Sequence, residues 1–179
     1  SERASYDFLS QLYNRSTFER ELKSEIERSA HSKVAVLFID VDDFKFINDR
    51  FGHSVGDEVI KYVAGCIKQR VKGSGFAGRF GGDEFVLCIT DPKQIEEIES
   101  LSLDLIDELY EGYHSELANV SINVKASIGI AFYPEHGDDS NKVVAAADEA
   151  MYFVKKNGKA NYHIYQPEDS EMEDLQHTL

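Results

Sequence analysis

The 179-residue sequence is short of three things: basic residues, cysteines and long apolar stretches. Its 19 lysines and arginines stand against 33 acidic residues, which gives a formal net charge of −14. This excess of negative charge argues against non-specific binding to nucleic acids or acidic membranes, since both are polyanions. We therefore expect no nucleic-acid partner and no direct membrane contact by this domain.

The remaining absences narrow the class of protein further. No apolar run approaches the roughly 20 residues that span a bilayer, and there is no signal-peptide pattern, internal repeat or low-complexity tract. Cys66 and Cys88 fall on predicted buried faces of a helix and a strand, so we expect core residues rather than a disulfide, as in a reducing cytoplasm. Length and a hydrophobic content of 42% suit one well-packed domain.

Hydrophobic periodicity predicts alternating helices and strands. The predicted helices cover residues 16–30, 44–51, 54–71, 92–113 and 141–157, and the predicted strands cover residues 34–40, a hairpin at 75–89, 124–133 and 162–165. This alternation predicts a mixed sheet with helices packed on it. Ser16 and Glu19 are expected to cap the first helix, and Pro92 to lie in the first turn of the fourth. Residues 166–179 are acidic and are predicted to form a frayed tail or a linker.

The most informative segment is residues 79–85, RFGGDEF, which lies between two predicted strands. The pair Gly81-Gly82 is a hairpin-turn signal, because glycine reaches positive φ without steric cost. Asp83 and Glu84 at the tip are unusual, since acids are poor strand formers and like charges repel. The two glycines leave the turn backbone uncovered, and the carboxylates beside them can bind metal ions. This combination suits a polyanionic ligand that brings metal ions close to the backbone.

A second acidic group follows the predicted strand at residues 34–40, where Asp40, Asp42 and Asp43 stand within four positions. If this strand neighbours the hairpin, Asp40 converges with Asp83 or Glu84. Mg²⁺ is usually held by one or two carboxylates plus substrate phosphates, so this convergence predicts a metal site. The alternative is that these acids form part of a solvated surface in an acidic chain.

Five segments, in order along the chain, resemble the GGDEF domain of bacterial diguanylate cyclases. Residues 38–57 and 79–85 carry its central signatures; residues 7–15 resemble the opening DxLTGLxNR, departing at Ser10 and Gln11; residues 127–131 read SIGIA; and residues 147–161 resemble the closing ADxALYxAKxxGRN. The resemblance spans about residues 6–165. It implies an α/β (α+β) fold of the nucleotidyl-cyclase and polymerase palm type, with a central mixed, mostly antiparallel sheet, and a catalytic domain at residues 1–165.

The resemblance also implies roles for individual residues. Asp40, Asp83 and the backbone carbonyl of Val41 would hold two Mg²⁺ ions, with Mn²⁺ as an alternative. Asp83, together with Glu84, would help to deprotonate an attacking 3′-hydroxyl. The expected substrate-binding residues are Phe44 (through backbone N–H groups), Lys45, Asn48, Asp57, Gly81, Gly82, Lys155 and Lys159.

Within that set, Asn48 and Asp57 would read the guanine edge, because a carboxylate accepts from the N1–H and the exocyclic amine of guanine. Lys45, Lys155 and Lys159 would contact the triphosphate, as phosphoryl transfer depends on charge neutralisation. The alternative for Lys155 and Lys159 is the polar face of an amphipathic helix. Arg79 either stabilises the acidic tip or is solvated.

The implied activity is condensation of two GTP molecules into cyclic di-GMP and two pyrophosphates across a homodimer. A catalytically silent GTP-binding module that regulates an attached domain is the alternative. Because the chain starts almost at the opening motif, we expect a missing N-terminal sensory domain. We also expect a cytoplasmic location for this domain, within a full-length protein that could be membrane-anchored. Where many relatives have an Arg-x-x-Asp product-inhibition site, this sequence has Lys72 and Gly75, so that site is predicted to be degenerate.

Overall fold

The computed structural model describes residues 5–28 and 33–170. The elements in chain order are α1 (Arg15–Arg28), β1 (Val34–Val41), α2 (Phe44–Phe51), α3 (His53–Val71), β2 (Gly75–Gly81), β3 (Glu84–Thr90), α4 (Ile95–Glu111), β4 (Tyr113–Ser115), β5 (Val120–Ile122), β6 (Ala126–Tyr133), α5 (Ser140–Lys156) and β7 (Tyr162–Ile164). No helix within this described part is long and apolar enough to cross a membrane.

The central sheet has five strands in the order β2-β3-β1-β6-β7. Strand β1 lies in the middle and pairs antiparallel with both β3 and β6, β2 pairs antiparallel with β3, and only β6 and β7 run parallel. The predicted mixed, mostly antiparallel sheet flanked by helices is therefore confirmed. Because β1 is buried on both faces, it reads as a continuous apolar run rather than an alternating one.

The two faces of the sheet support separate cores. Successive side chains of a strand point to opposite faces, so Leu37 and Ile39 pack in the larger core with α3 and α4. Val36 and Phe38 pack in the smaller core with α1 and α5. Asp40 continues the Val36–Phe38 face, which places its side chain on the side of the sheet that α5 covers.

Several helix and strand ends differ from the prediction. Asn14, not Ser16, caps α1, because its Oδ1 accepts from the Thr17 N–H at 2.9 Å. Helix α4 begins at Ile95, so Pro92 precedes the helix instead of lying in its first turn. Residues 113–115 and 120–122 form a separate two-stranded sheet that the periodicity did not indicate, and its three-residue strands are too short for a clear pattern.

The described part of the predicted tail packs on the domain. Asp169 is buried, and its carboxylate accepts from the Gln166 N–H and pairs with His163 on β7 at 3.1 Å. Ser170 hydrogen-bonds Glu149 of α5. Residues 171–179, and Ala30 at the end of the first predicted helix, lie outside the described residues. Cys66 and Cys88 are free thiols, as predicted.

Candidate active site

The carboxyl end of β1 and the β2–β3 turn meet at one end of the sheet. Asp40 on β1 stands directly opposite Glu84 on β3. The Val41 N–H donates to the Asp83 carbonyl oxygen at 3.2 Å. The convergence of Asp40 with Asp83 and Glu84 that the sequence predicted therefore occurs, and the register of antiparallel strands brings it about.

These acids strongly affect one another. Burial, together with a hydrogen bond and the charge of Asp83, raises the pKa of Asp40 to about 8. Burial and the same neighbour also raise the pKa of Glu84. The buried Oδ1 of Asp40 has no hydrogen-bond partner among the described residues. Two carboxylates in contact, one with a buried oxygen that lacks a partner, form a site that a cation or a shared proton must neutralise.

This donor set fits a hard divalent cation that arrives with a phosphate-bearing substrate. Within residues 5–28 and 33–170, no three Asp, Glu, His or Cys side chains are grouped as a complete metal site. Mg²⁺ does not need such a group, because it is commonly bound by one or two carboxylates with phosphate oxygens and water completing the shell. Asp40, Asp83 and the carbonyl of Val41 supply that smaller set.

Two lysines from the end of α5 and the turn after it point to the same end of β1. Lys155 Nζ lies 2.6 Å from Asp42 Oδ1, 3.5 Å from the Val41 carbonyl oxygen and 3.8 Å from Asp40 Oδ2. Lys159 Nζ donates to Asp43 Oδ1 at 2.9 Å. Both lysines are thus paired with acids of the segment after β1, rather than simply lining a solvated helix face.

The start of α2 contributes backbone groups. The helix begins at Phe44, directly after the acidic segment, so its first-turn N–H groups lie at the carboxyl end of β1. A helix N-terminus of this kind favours anions. Lys45 is exposed in the same turn. At the hairpin, Gly81 and Gly82 are exposed, and an added Cβ at either would meet no atom of the described residues within 4 Å, which leaves the backbone accessible.

Asn48 lies against the start of α3. A Cβ at Gly56 would stand 1.8 Å from Asn48 Oδ1, so the glycine provides the space that the amide occupies. Asp57 follows in the same turn of α3 and is exposed. The structure therefore brings the two predicted guanine-reading residues to the contact between α2 and α3.

The hairpin turn is held by a contact that the sequence did not reveal. Arg79 donates to the Gly82 carbonyl through Nε at 3.0 Å and Nη2 at 2.7 Å, and its Nη1 pairs with Asp7 at 3.2 Å. Arg79 therefore supports the turn backbone rather than the acidic side chains. Asp7 and Arg79 both lie in motifs, but 72 residues separate them, and only the fold pairs them.

Packing accounts for one of the two residues at the position where the product site is predicted to be degenerate. Lys72 is exposed at the end of α3. A Cβ at Gly75 would lie 1.8 Å from the Cys88 carbonyl oxygen, so the pairing of β2 with β3 leaves no room for a side chain there.

Comparison with known proteins identifies the family. The family model "Diguanylate cyclase, GGDEF domain" matches residues 4–161. The chain belongs to the GGDEF family. It is 34% identical over 174 residues to diguanylate cyclase TpbB of Pseudomonas aeruginosa and 30% identical over 165 residues to cyclic di-GMP phosphodiesterase PdeR of Escherichia coli, matches that cover 93% and 92% of this chain.

The fold agrees with that assignment. A solved structure of the TpbB GGDEF domain from Pseudomonas aeruginosa matches with a TM-score of 0.89 at 30% identity, covering 94% of this chain and 99% of that one. The match supports the predicted palm-like fold. The chain spans only 38% of the length of TpbB and 24% of PdeR, so the relatives contain regions that this GGDEF domain does not match.

Proposed function

We propose that this GGDEF domain condenses two GTP molecules into cyclic di-GMP and two pyrophosphates. Each 3′-oxygen would form a bond to the α-phosphorus of the other GTP, while the bond from that phosphorus to the bridging β-phosphate oxygen breaks and pyrophosphate leaves. Asp83, with Glu84, would accept the hydroxyl proton. The observation that carries the proposal is the convergence of Asp40 and Asp83 beside the N-terminus of α2 in a GGDEF chain.

The site residues would neutralise the charge of the phosphates and position the two substrates. Asp40, Asp83 and the Val41 carbonyl would hold two Mg²⁺ ions, or Mn²⁺, which when bound neutralise phosphate charge and favour ionisation of the 3′-hydroxyl. Asp40 Oδ1, which accepts no hydrogen bond from the part of the chain that the structure describes, is suited to that purpose. The triphosphate would be contacted by Lys45, Lys155, Lys159 and the backbone N–H groups at Phe44, while the exposed backbone of Gly81 and Gly82 would allow close approach.

Guanine would be read by Asn48 and Asp57. An amide and a carboxylate together match the acceptor and the donor pair on the guanine edge, whereas adenine offers no such donor pair. Because each GTP attacks the other, two domains must face one another, so we propose an active homodimer. We also propose that a sensory domain N-terminal to this segment controls that pairing. The GGDEF domain itself would act in the cytoplasm.

The test is turnover with GTP and Mg²⁺, read by anion-exchange chromatography. Wild-type protein at high concentration is expected to form cyclic di-GMP, and Asp83→Asn is expected to lose turnover by about 10³-fold or more with its fold intact. Asp107→Asn, an exposed acid on α4, is the matched control and should keep full activity. Near-normal turnover by Asp83→Asn would overturn the assignment of Asp83.

A catalytically silent GTP-binding module is the second candidate. It is favoured by one observation, namely that the relative PdeR is named only as a phosphodiesterase although it aligns over 92% of this chain. If wild-type protein forms no product, a fused coiled coil that enforces dimerisation separates the two candidates. Product from the fused protein supports the cyclase, whereas Mg²⁺-dependent GTP binding without product supports the silent module.

We propose that tight product inhibition at the Lys72 and Gly75 positions is absent. Glycine supplies no acceptor, and lysine lacks the planar two-pronged grip of arginine. Cyclic di-GMP added during turnover should inhibit this domain only at concentrations where it competes with GTP. Non-competitive inhibition that disappears in Lys72→Ala would show that a product site operates there.

A further inference from the structure

Asp42 is a buried carboxylate beside the site that has no role in the reaction proposed above. Its side chain is 1% exposed. Its Oδ1 accepts from Lys155 Nζ at 2.6 Å and from Ser127 Oγ at 2.7 Å, and its Oδ2 accepts from the Ala160 N–H at 2.9 Å. The donors come from α5, from β6 and from the turn after α5, so Asp42 joins three parts of the chain at the end of β1.

This arrangement restricts Lys155. A lysine on a helix surface ordinarily samples many rotamers, and fixing it in one of them costs conformational entropy. Here the side chain is only 19% exposed, and its ammonium also faces the Val41 carbonyl and Asp40 Oδ2. A buried carboxylate that is fully hydrogen-bonded can hold such a cation, because removing either partner leaves the other charge buried and unpaired.

The second lysine provides an internal comparison. Lys159 pairs with Asp43, but their side chains are 42% and 61% exposed, and exposed ion pairs of this kind contribute little. Asp43, the next residue after Asp42, therefore has the same side chain but does not hold Lys159 firmly. The difference lies in burial and in the two extra hydrogen bonds that Asp42 receives.

We propose that Asp42 is a positioning residue that holds Lys155 at the triphosphate site before GTP binds. The proposal rests on the proposed function in one respect, the contact between Lys155 and the triphosphate. A pre-positioned ammonium loses less conformational freedom when the phosphate arrives, so its contribution to binding and to the transition state is larger. Asp42 itself touches neither substrate nor metal in this scheme.

The first experiment does not depend on enzymatic turnover. Lysine acetylation by acetic anhydride, followed by mass spectrometry, measures how readily each lysine leaves its ion pair and reacts as the free amine. Asp42→Asn is expected to speed acetylation of Lys155 several-fold and to change that of Lys159 much less, whereas the matched variant Asp43→Asn is expected to act mainly on Lys159. Unchanged acetylation of Lys155 in folded Asp42→Asn overturns the proposal. If that variant does not fold, Ser127→Ala removes one hydrogen bond to Asp42, and the same criterion applies to it.

The second experiment is a double-mutant cycle on kcat/KM for GTP. Asp42→Asn alone is expected to lower kcat/KM about tenfold, and in a Lys155→Met background to cost less than about twofold, because its effect acts through Lys155. Independent, multiplicative losses overturn the positioning role even when acetylation changes. If wild-type protein neither binds nor converts GTP, the proposed function fails, and the acetylation result alone decides whether Asp42 holds Lys155.

Discussion

Acidic side chains lie at both ends of the central sheet, but their surroundings differ. At the hairpin end, Asp40 and Glu84 are partly buried beside Asp83, and their pKa values are raised. At the opposite end, acids in the connecting loops are exposed and paired with lysines, in the ion pairs Lys33–Glu135 at 2.5 Å, Lys93–Asp91 at 2.7 Å and Lys142–Asp138 at 2.8 Å.

The pKa shifts at the two ends have opposite signs for physical reasons. A hydrogen bond from Lys142 lowers the pKa of Asp138, which favours its charged form. Burial and a like-charged neighbour instead raise the pKa of Asp40, which disfavours its charged form. Exposed pairs contribute little to stability, whereas clustered, partly buried acids are unfavourable until a proton or a cation neutralises them. Such clusters are a common mark of functional sites.

The largest effect that tests this comparison is expected for Asp40→Asn. Turnover should fall by about 10³-fold or more, because a metal ligand is lost. The metal-free protein should nevertheless become more stable by about 1–2 kcal/mol at neutral pH, a gain limited by partial solvent exposure of the pair. The folded pKa of Asp40 lies near 8, above its usual 3.8, so the gain should be absent near pH 4 and grow as pH rises towards 8.

Chemical denaturation of the metal-free protein across that pH range measures the stability gain. Asp138→Asn is the matched control from the opposite end of the sheet, and no measurable change in stability or turnover is expected for it. A loss of stability in Asp40→Asn at neutral pH would show that the Asp40 side chain stabilises the free fold instead of destabilising it, and the contrast between the two ends would then fail.

A smaller effect is expected where α2 meets α3. Gly56→Ala places a Cβ 1.8 Å from the present position of Asn48 Oδ1, so the amide must move, and kcat/KM for GTP should fall about tenfold. Discrimination between GTP and ATP should weaken as well. Both quantities come from steady-state kinetics with each nucleotide.

Gly65→Ala provides the matched control on the same helix. A Cβ there would meet no atom within 4 Å, so alanine should keep full activity and stabilise α3 by about 0.5–1 kcal/mol. Equal kinetics for the Gly56 and Gly65 variants would show that the position of Asn48 does not matter for GTP. That result would remove the proposed guanine-reading role.

The smallest effect concerns the support of the hairpin. Burial acts to raise the pKa of Asp7, but hydrogen bonds from Ser10 and Arg79 outweigh it and lower that pKa below its usual 3.8. The charged form therefore stabilises the fold above pH 3.8, and this contribution is lost as pH falls through the lower folded pKa. Asp7→Asn should cost about 1 kcal/mol of unfolding free energy at pH 7.

Urea denaturation of wild type and Asp7→Asn at several pH values tests this prediction. The difference between them should be constant above about pH 5 and shrink below pH 3.8. Asp91→Asn, from an exposed pair at the opposite end of the sheet, should change the unfolding free energy at pH 7 by less than about 0.5 kcal/mol. A difference of similar size for both variants would mean that the Arg79 contact adds nothing beyond a surface ion pair.

Much of the fold could be predicted because its signals are local. The apolar run at residues 34–39 identified the central strand, and the 3.6-residue periodicity of α3 identified that helix within one residue. The glycine pair identified the hairpin turn. The predicted starts of α1 and α4 were wrong, because Asn14 caps α1 through a contact that no periodicity reveals and α4 begins at Ile95 instead of near Pro92. Strands β4 and β5 were missed because each is only three residues long.

The sequence by itself determined the order of the elements, the family and which residue types stand at the end of β1. Only the tertiary structure decided how equivalent acids behave. Asp40 and Asp42 are two positions apart, yet among the described residues one has a buried oxygen without a hydrogen-bond partner and the other accepts three hydrogen bonds. The donors to Asp42 lie 85 to 118 residues away in the chain. Charge and spacing are properties of the chain, whereas burial and partners arise when distant segments pack together.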